Sequence, residues 1–407
     1  MDGLGRPLRV LLVHNYYQLP GGEDRVFEAE EAILKAKGHD VGRLTVSNDT
    51  VADLSRVALA KTTVWSRAGH DAVEAAARDH RADVVHFHNT LPLISPAGYY
   101  GARAAGAAVI QTLHNFRLIC PGALLHRDGE PCEICVGRSF AAPGVRHGCY
   151  RGSRSATLAV ASMTTAHRVA GTWQRAVDRY IAITDFARDK FVAGGLPEDR
   201  ITVKANPLSQ DPGRGEGTGD FALFVGRLDS GKGVSTVLRA WQDCAALPPL
   251  VIVGDGPEAP LVQDAVDRMG EDRIRWKGWL QSNDVLALMR RARVFVFASH
   301  LYEGGTPMTL VEAFASGLPV AATDRGAARA LVRDGVEGIR FAPKEPQALA
   351  AAVHEILRDP VAYQSMRNAA RTAFEQTYAP EPNYVVLARI YSEALATRYR
   401  DDRSLGT

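Results

Sequence analysis

The chain has 407 residues, of which 46% are apolar and 23% are charged, and its formal net charge is +2. This composition is typical of a soluble globular protein, the length favours two domains of roughly 200 residues, and the nearly balanced charge gives no reason to expect nucleic acid as a partner. No stretch has the apolar core of a signal peptide or the length of a transmembrane helix. The sequence therefore predicts a cytoplasmic protein and leaves peripheral contact with the inner face of a membrane open.

The first half of the chain alternates between apolar, β-rich runs and helical segments, as in a parallel sheet covered by helices. The predicted strands lie at 8–14, 40–45, 83–87, 108–113, 179–184 and 201–204. A loop with Pro20, Gly21 and Gly22 follows the first strand, and a helix begins at Glu23. Two adjacent glycines are a weak nucleotide-binding signal and fit an ordinary flexible loop equally well. The missing side chain of Gly22 would nevertheless permit close approach of a ligand to the backbone.

Three histidines stand at the ends of two predicted strands. His86 and His88 are two residues apart on one strand, so their side chains lie on the same side of it. Histidines that face a cleft explain this spacing better than a metal-binding pair does. His114 directly follows the next strand. A histidine at this place is either structural or close to a bound ligand.

A cysteine-rich stretch at 120–149 interrupts the alternation of strands and helices. It contains four of the five cysteines, namely Cys120, Cys132, Cys135 and Cys149. A Cys-x-x-Cys pair with two outlying cysteines supplies the four thiolates of a structural zinc site, and a metal would order a segment that is poor in apolar residues. Free thiols or one oxidised pair are the alternatives. His126 and His147 are reserve ligands, and a closed four-thiolate site is not expected to take part in catalysis.

A short polar segment at 209–219, rich in glycine, predicts a linker near the middle of the chain. The strand–helix alternation then restarts, which predicts a second parallel sheet with helices on both faces. The predicted organisation is a first domain with the cysteine-rich insertion, the linker, a second domain and a final helical segment, at 1–208, 209–219, 220–376 and 377–407.

The loop after the strand at 221–225 places Arg227 and Lys232 at a strand end and a following helix start. Two cations and helix-end amides are suited to a diphosphate. The spacing is not that of a Walker loop, so an ordinary nucleotide triphosphatase is not supported. Unpaired surface charges are the alternative.

The stretch at 298–320 follows another apolar strand and forms a loop and a helix. Glu303 lies in the loop, Glu312 lies in the helix, and Gly317 ends the helix. Open α/β sheets bind ligands at the carboxyl ends of their strands, where this loop is expected. Either glutamate alone fits an ordinary solvated charge as well.

The motifs of the second half occur together in the family 4 retaining glycosyltransferases, which this sequence resembles. The matching segments are E-G-G-x-P and E-A-F-A-S-G-x-P-V at 303–320, G-R-x-x-x-x-K-G at 226–233 and G-x-G-P at 254–257. The resemblance implies the GT-B fold, in which two Rossmann-like domains face each other across an interdomain cleft. The first domain would then bind the acceptor and the second the nucleotide sugar, and the final helix at 377–407 would cross back onto the first domain. The sequence departs from the family by eight residues, instead of seven, between its two glutamates.

The resemblance also implies a role for individual residues. Arg227 and Lys232 would bind the donor diphosphate, and Glu312 would bind the ribose. Glu303 would contact the donor sugar, with His114 close to the reacting carbon. His114, Arg227, Lys232 and Glu303 would therefore carry catalysis. The remaining donor-site residues would be Gly22, Gly256, Trp279, Leu280, Gly305 and Thr306.

The function that follows is transfer of a hexosyl group, with retention, from a UDP-, GDP- or dTDP-sugar to a hydroxyl acceptor. A surface polysaccharide or a lipid-linked glycan is the first expectation for the acceptor, and a small molecule is the alternative. Fixed cations can stabilise the leaving diphosphate, so no catalytic metal is expected. A nucleotide-sugar epimerase or hydrolase and a non-catalytic glycan-assembly partner are the rival functions, and the additional residue beside Glu303 favours the latter.

Overall fold

The structure is a computed structural model that describes residues 4–18, 21–303 and 305–405, with side chains described to residue 399. Pro20 of the first glycine loop and Gly304 of the E-G-G motif lie outside the described residues. Within the described ranges, none of the helices combines the length and the apolar character needed to span a bilayer.

The chain forms two compact units, each with its own parallel sheet. The first unit contains residues up to 125, residues 132–209 and residues from 380 onward, and the second unit contains residues 126–131 and 210–379. The final helical segment thus belongs to the first unit. A small hairpin of the cysteine-rich stretch belongs to the second unit, although the sequence assigns the whole stretch to the first domain.

The described residues of the first half of the chain form eight strands and eight α-helices. In chain order they are β1 (Arg9–Tyr16), α1 (Gly22–Ala36), β2 (Asp40–Ser47), α2 (Arg56–Val64), α3 (Arg67–Asp79), β3 (Val84–Asn89), α4 (Ala97–Ala104), β4 (Ala108–Leu113), β5 (His126–Arg127), β6 (Glu130–Pro131), α5 (Ala142–His147), α6 (Arg154–Val169), α7 (Thr172–Arg175), β7 (Arg179–Ala182), α8 (Asp185–Ala193) and β8 (Ile201–Val203). The pair β5–β6 is the antiparallel hairpin of the second unit. Gly171, between α6 and α7, adopts a left-handed conformation with φ of 68° that separates the two helices.

The first sheet has the strand order β2-β1-β3-β4-β7-β8, and its strands are parallel. Both β3 and β4 are buried at every position. Burial on both faces explains why apolar residues dominate most of these strands in the sequence. The last helix of the chain covers one face, because its Leu387, Ile390 and Tyr391 join the same core cluster as Val10 and Val84.

In the second half of the chain, residues 210–303 and 305–405 form six strands and the remaining helices. They are β9 (Ala222–Val225), α9 (Val234–Asp243), β10 (Leu250–Val253), α10 (Ala259–Met269), β11 (Ile274–Trp276), α11 (Ser282–Arg291), β12 (Val294–Phe297), α12 (Met308–Ala315), β13 (Val320–Thr323), α13 (Gly326–Leu331), β14 (Gly338–Phe341), α14 (Pro346–Arg358), α15 (Pro360–Ala373) and α16 (Pro380–Leu405). The second sheet is parallel, with the order β11-β10-β9-β12-β13-β14. The prediction of two parallel α/β sheets is confirmed.

The segment predicted as a linker is held against the second unit over most of its length. Arg367 is 7% exposed, and its guanidinium donates hydrogen bonds to the carbonyls of Gly215, Glu216 and Gly317. Arg371 forms an ion pair with Asp211. Glycine and charged residues at 210–219 therefore serve close backbone packing and ion pairing, which a composition-based linker prediction does not distinguish from flexibility.

Candidate functional site

The loop between β9 and α9 holds the two cations predicted to bind a diphosphate. Asp229 organises this loop: its Oδ1 accepts a hydrogen bond from the Lys232 amide at 3.2 Å, and its Oδ2 lies 3.4 Å from Arg227 Nε. The Arg227 side chain is 64% exposed. A guanidinium and an ammonium on one short loop can together bind phosphate oxygens. Asp229 was not among the predicted residues, although an aspartate three residues before the lysine is a recognisable capping signal.

An ion pair joins this loop to the loop after β12. Lys232 Nζ donates to Glu303 Oε1 at 2.6 Å, and Ser299 Oγ donates to the same oxygen at 2.5 Å. Burial alone would raise the pKa of Glu303. The charge of Lys232 and the hydrogen bonds from Lys232 and Ser299 outweigh that effect, so the pKa of Glu303 lies below its usual range. The carboxylate is therefore charged and paired, and Ser299, which was not predicted from the sequence, belongs to the candidate site through this contact.

The two loops also touch through their backbones. The His300 amide donates to the carbonyl of Gly231 at 2.7 Å. Gly233 has φ of 76°, and a Cβ at this position would lie 2.1 Å from the carbonyl oxygen of Ala298. No side chain fits there, so glycine at the end of the G-R-x-x-x-x-K-G motif is required by the close approach of the two loops.

The other residues predicted after β12 lie on its loop and on α12. Glu303 has φ of 50°, a left-handed conformation that costs a non-glycine residue about 1–3 kcal/mol and is retained where surrounding contacts fix it. Thr306 and Glu312 are each 4% exposed, and Gly305 is partly buried. Both predicted glutamates therefore lie on the segment that follows the same strand.

Backbone packing requires glycine at position 256, a reason that was not predicted from the sequence. Its φ is 154°, and a Cβ would lie 2.5 Å from the carbonyl oxygen of Leu228. The same two loops exchange hydrogen bonds, since the Leu228 amide donates to Asp255 and the Glu258 amide donates to Leu228. The G-x-G-P motif thus supports the loop that carries Arg227 and Lys232, and contact of Gly256 with a donor stays a prediction.

The loop after β11 presents an aromatic side chain. Trp279 is 72% exposed and Leu280 is half-buried. The preceding Gly278 accepts a hydrogen bond from the Gly254 amide at 2.8 Å, which holds this loop at the carboxyl end of β10. An exposed indole at a ligand-binding sheet edge is suited to stacking on a base.

In the first unit, polar contacts organise the glycine loop after β1. Gly22 is exposed and is the first residue of α1. Asp24 links strand and helix, because its Oδ1 lies 2.7 Å from His14 Nε2 and its Oδ2 accepts from the Gly21 amide at 2.8 Å. Glu23 Oε1 accepts from the Asn115 side chain at 2.8 Å, and burial raises the pKa of Glu23.

His114 is 8% exposed at the carboxyl end of β4 and lines a cavity of about 40 Å³. Its Nε2 lies 3.0 Å from Nδ1 of His88. The expectation that both strand histidines face a cleft is wrong for His86, which is fully buried and lies 3.0 Å from the Tyr391 hydroxyl and 2.7 Å from the Thr112 hydroxyl.

Glu30, His86 and His88 place potential ligand atoms within 4.8 Å of one another. Lys204 Nζ donates to Glu30 Oε1 at 2.5 Å inside this cluster. A buried ammonium already neutralises the carboxylate and would repel a divalent cation. The cluster is therefore a buried ion pair with two histidines, and we assign no metal to it.

The four clustered cysteines lie near one another without forming a closed site. Cys135 is buried, and burial is the main reason for its raised pKa; nearby Cys120, Cys149 and Cys132 add to the effect. In a tetrahedral zinc site the sulfurs would be about 3.8 Å apart. The groups of three or more potential ligand atoms found within 4.8 Å among the described residues contain no cysteine. The thiols are thus close enough to interact, and zinc binding would require them to draw closer together.

Taken separately, the two parallel sheets are those of Rossmann-like domains, and the second carries a cationic loop paired with a glutamate after the carboxyl ends of its strands. This combination defines the class of GT-B proteins. Residues 210–373 match the family model described as glycosyl transferases group 1, so this part of the chain is similar to that family. The resemblance noted from the motifs is confirmed there.

Relatives and solved structures agree with this assignment. The chain is 31% identical over 179 residues to glycogen synthase of Mycobacterium tuberculosis, covering 42% of each protein. It is 28% identical over 294 residues to D-inositol 3-phosphate glycosyltransferase of Frankia alni, covering 68% of this chain and 66% of that protein. The chain thus spans roughly half the length of the curated relatives it matches. The Anabaena HepE structure in complex with UDP superposes with a TM-score of 0.66 at 17% identity, over 93% of this chain and 98% of that one, which shows the shared GT-B fold.

Proposed function

We propose that the protein is a retaining glycosyltransferase that moves a hexosyl group from a nucleoside-diphosphate sugar to a hydroxyl of a glycan or lipid-linked glycan. The observation that carries the proposal is the ion pair between Lys232 and Glu303, 2.6 Å apart at the ligand-binding edge of the second sheet. It joins the residue expected at the donor phosphates to the residue expected at the donor sugar. Arg227 adds a second, exposed cation on the same loop.

The chemistry follows from the charges that develop in the reaction. The bond between the anomeric carbon and the diphosphate oxygen breaks, which leaves negative charge on the diphosphate. Fixed cations at Arg227 and Lys232 stabilise that charge without a divalent metal. The acceptor oxygen bonds to the same face of the sugar, and its proton passes to the departing phosphate oxygen. Retention follows from this front-face route.

Binding of the donor nucleotide is the first test. We expect calorimetry to detect binding of one of UDP, GDP or dTDP, starting with UDP because the Anabaena HepE structure holds it. Trp279→Ala should weaken that binding roughly tenfold, the effect of losing one base–aromatic stack. Trp65→Ala is the matched control, because Trp65 is also exposed, at 47%, but lies in the first unit after α2. No binding of any nucleotide by the unmodified protein would contradict the proposal.

Product analysis separates the rival functions. A transferase should form a glycoside with the anomeric configuration of the donor and show only slow donor hydrolysis without acceptor. A sugar altered in the absence of acceptor would indicate an epimerase. Tight nucleotide binding without turnover across glycan, lipid-linked and small-molecule acceptors would favour the non-catalytic partner.

Zinc at the four clustered cysteines is a second proposal, with a structural role. We expect metal analysis of the purified protein to find about one zinc per chain, and Cys135→Ser, which alters the buried thiol, to remove it. Cys244→Ser is the matched control, because Cys244 lies apart from the cluster and contacts His354 Nε2 at 3.3 Å. Wild-type protein that lacks zinc and has four titratable thiols in the cluster would contradict this proposal.

A further inference from the structure

A chain of buried side chains leads from Lys204 to His114. Lys204 Nζ donates to Glu30 Oε1, Glu30 Oε2 lies 3.5 Å from His88 Nε2, and His88 Nδ1 lies 3.0 Å from His114 Nε2. We infer that Glu30 and His88 are positioning residues that hold His114 with its proton on Nε2 and its Nδ1 bare, so that the ring accepts a hydrogen bond from a ligand hydroxyl. The inference rests on the proposed function only in placing a sugar or acceptor hydroxyl beside His114.

Glu30 determines the protonation of the histidines in this series of side chains, because its surroundings keep its carboxylate charged. It is fully buried, and burial would raise its pKa, but Lys204 and the neighbouring histidines hold the pKa well below the usual range. Asn383 Oδ1 accepts a second hydrogen bond from Lys204 at 3.1 Å, which fixes the ammonium in place. The carboxylate therefore stays charged and acts only as an acceptor.

The position of the proton on His88 can be deduced because the charged Glu30 carboxylate can only accept hydrogen bonds. His88 Nε2 and Glu30 Oε2 are both buried, and neither has another hydrogen-bond partner among the described residues. If His88 Nε2 were bare, two lone pairs would face each other at 3.5 Å and both atoms would stay unsatisfied. A proton on His88 Nε2 satisfies both, although the contact is long, and leaves His88 Nδ1 as an acceptor.

The proton on His114 follows in turn. Because His88 Nδ1 accepts, His114 Nε2 must donate across the 3.0 Å contact. Burial and the nearby His88 hold the pKa of His114 well below its usual range, so the ring is neutral and carries no second proton. Nδ1 is then the remaining polar atom of the ring and can only accept. A bare nitrogen favours a hydroxyl donor and disfavours a carboxylate at the same position, which points to a neutral sugar instead of a uronic acid.

The tautomer can be observed directly by nitrogen NMR on the full chain labelled with 15N-histidine, without any substrate. We expect long-range nitrogen–proton correlations at neutral pH to show a protonated Nε2 and a bare Nδ1 for His114, with the signal assigned by its loss in His114→Gln. A proton on Nδ1, or a doubly protonated ring, would overturn the inference. Absence of sugar transfer together with the expected tautomer would count against the proposed function and leave the assignment intact.

Two variants test the positioning role. His88→Gln should mix the tautomers of His114 and lower kcat/KM about tenfold, the loss of one hydrogen bond. His167→Gln is the matched control, because His167 is also buried in the first unit but contacts the Thr172 hydroxyl and the Val64 carbonyl, and it should leave the His114 tautomer unchanged. The double variant Glu30→Met with Lys204→Met removes both buried charges together and should also mix the tautomers. An unchanged His114 spectrum in both test variants would show that Glu30 and His88 do not position the ring.

Discussion

Replacement of Lys232 by alanine is expected to lower kcat by about 10²–10³-fold with both units still folded. The ammonium joins the loop between β9 and α9 to Glu303, and in the proposed reaction an alanine would leave Arg227 as the one cation of this loop beside the departing diphosphate. The backbone of the loop should persist, because Asp229 caps the Lys232 amide and not its side chain. The expected loss is therefore one of transition-state stabilisation instead of folding.

Turnover of the nucleotide sugar, measured with the circular dichroism spectrum of the same samples, checks this expectation. Lys61→Ala is a matched control, because Lys61 is exposed on α2 and should leave kcat unchanged. Titration of Glu303 gives a second readout: without the ammonium, burial dominates and the pKa of Glu303 should rise. Near-normal turnover in Lys232→Ala would refute the role of Lys232 at the diphosphate.

The sheets were predictable because their signal is local. A strand buried on both faces, such as β4 or β12, needs mainly apolar residues, and the sequence shows them as continuous runs. The loop between β9 and α9 was recognisable for a similar reason, since Arg227, Lys232 and Gly233 lie within one short motif, and its binding of a diphosphate stays a prediction. The location of each of these residues depends only on the nearby strand end and helix start, which the local sequence indicates.

Side chains whose partners are distant in sequence were not predictable in this way. Ser299 carries no local signal, because its role depends on the contact with Glu303 and on the approach of two loops that are 71 residues apart at Lys232 and Glu303. Lys204 and Glu30 are 174 residues apart, so neither is distinguishable from a surface charge until the chain is folded. The segment at 210–219 was predicted to be a linker for a related reason. Its partner, Arg367, lies far away in sequence on α15, so the local composition does not indicate the contact.

Replacement of Lys204 by methionine is expected to destabilise the first unit by about 3–5 kcal/mol, because it leaves the buried carboxylate of Glu30 without its counter-charge. Lys35→Met is the matched control. Lys35 pairs with Glu31 at 2.8 Å on α1, but its side chain is 55% exposed, and loss of such a pair should change the free energy of unfolding by only about 0.5 kcal/mol. Hydrogen exchange of the amides of β3 and α16 reports the free energy of unfolding in this unit separately from the other.

Two further measurements test whether the loss of the Lys204 charge causes the loss of stability: the pH dependence of the free energy of unfolding, and a second substitution at Glu30. The pKa of folded Glu30 lies below its unfolded value, so its pairing contributes stability above the unfolded pKa, and this contribution is lost as the pH falls through the folded pKa. In Lys204→Met the Glu30 carboxyl can protonate more easily. The difference in free energy of unfolding between this variant and the wild type should therefore become smaller as the pH falls. Glu30→Met added to Lys204→Met should recover part of the stability, because an apolar pair of similar volume has no charge to bury. The difference in free energy of unfolding could instead be independent of pH and equally large in the double variant. Lys204 would then stabilise the fold by packing its alkyl chain and not by neutralising Glu30.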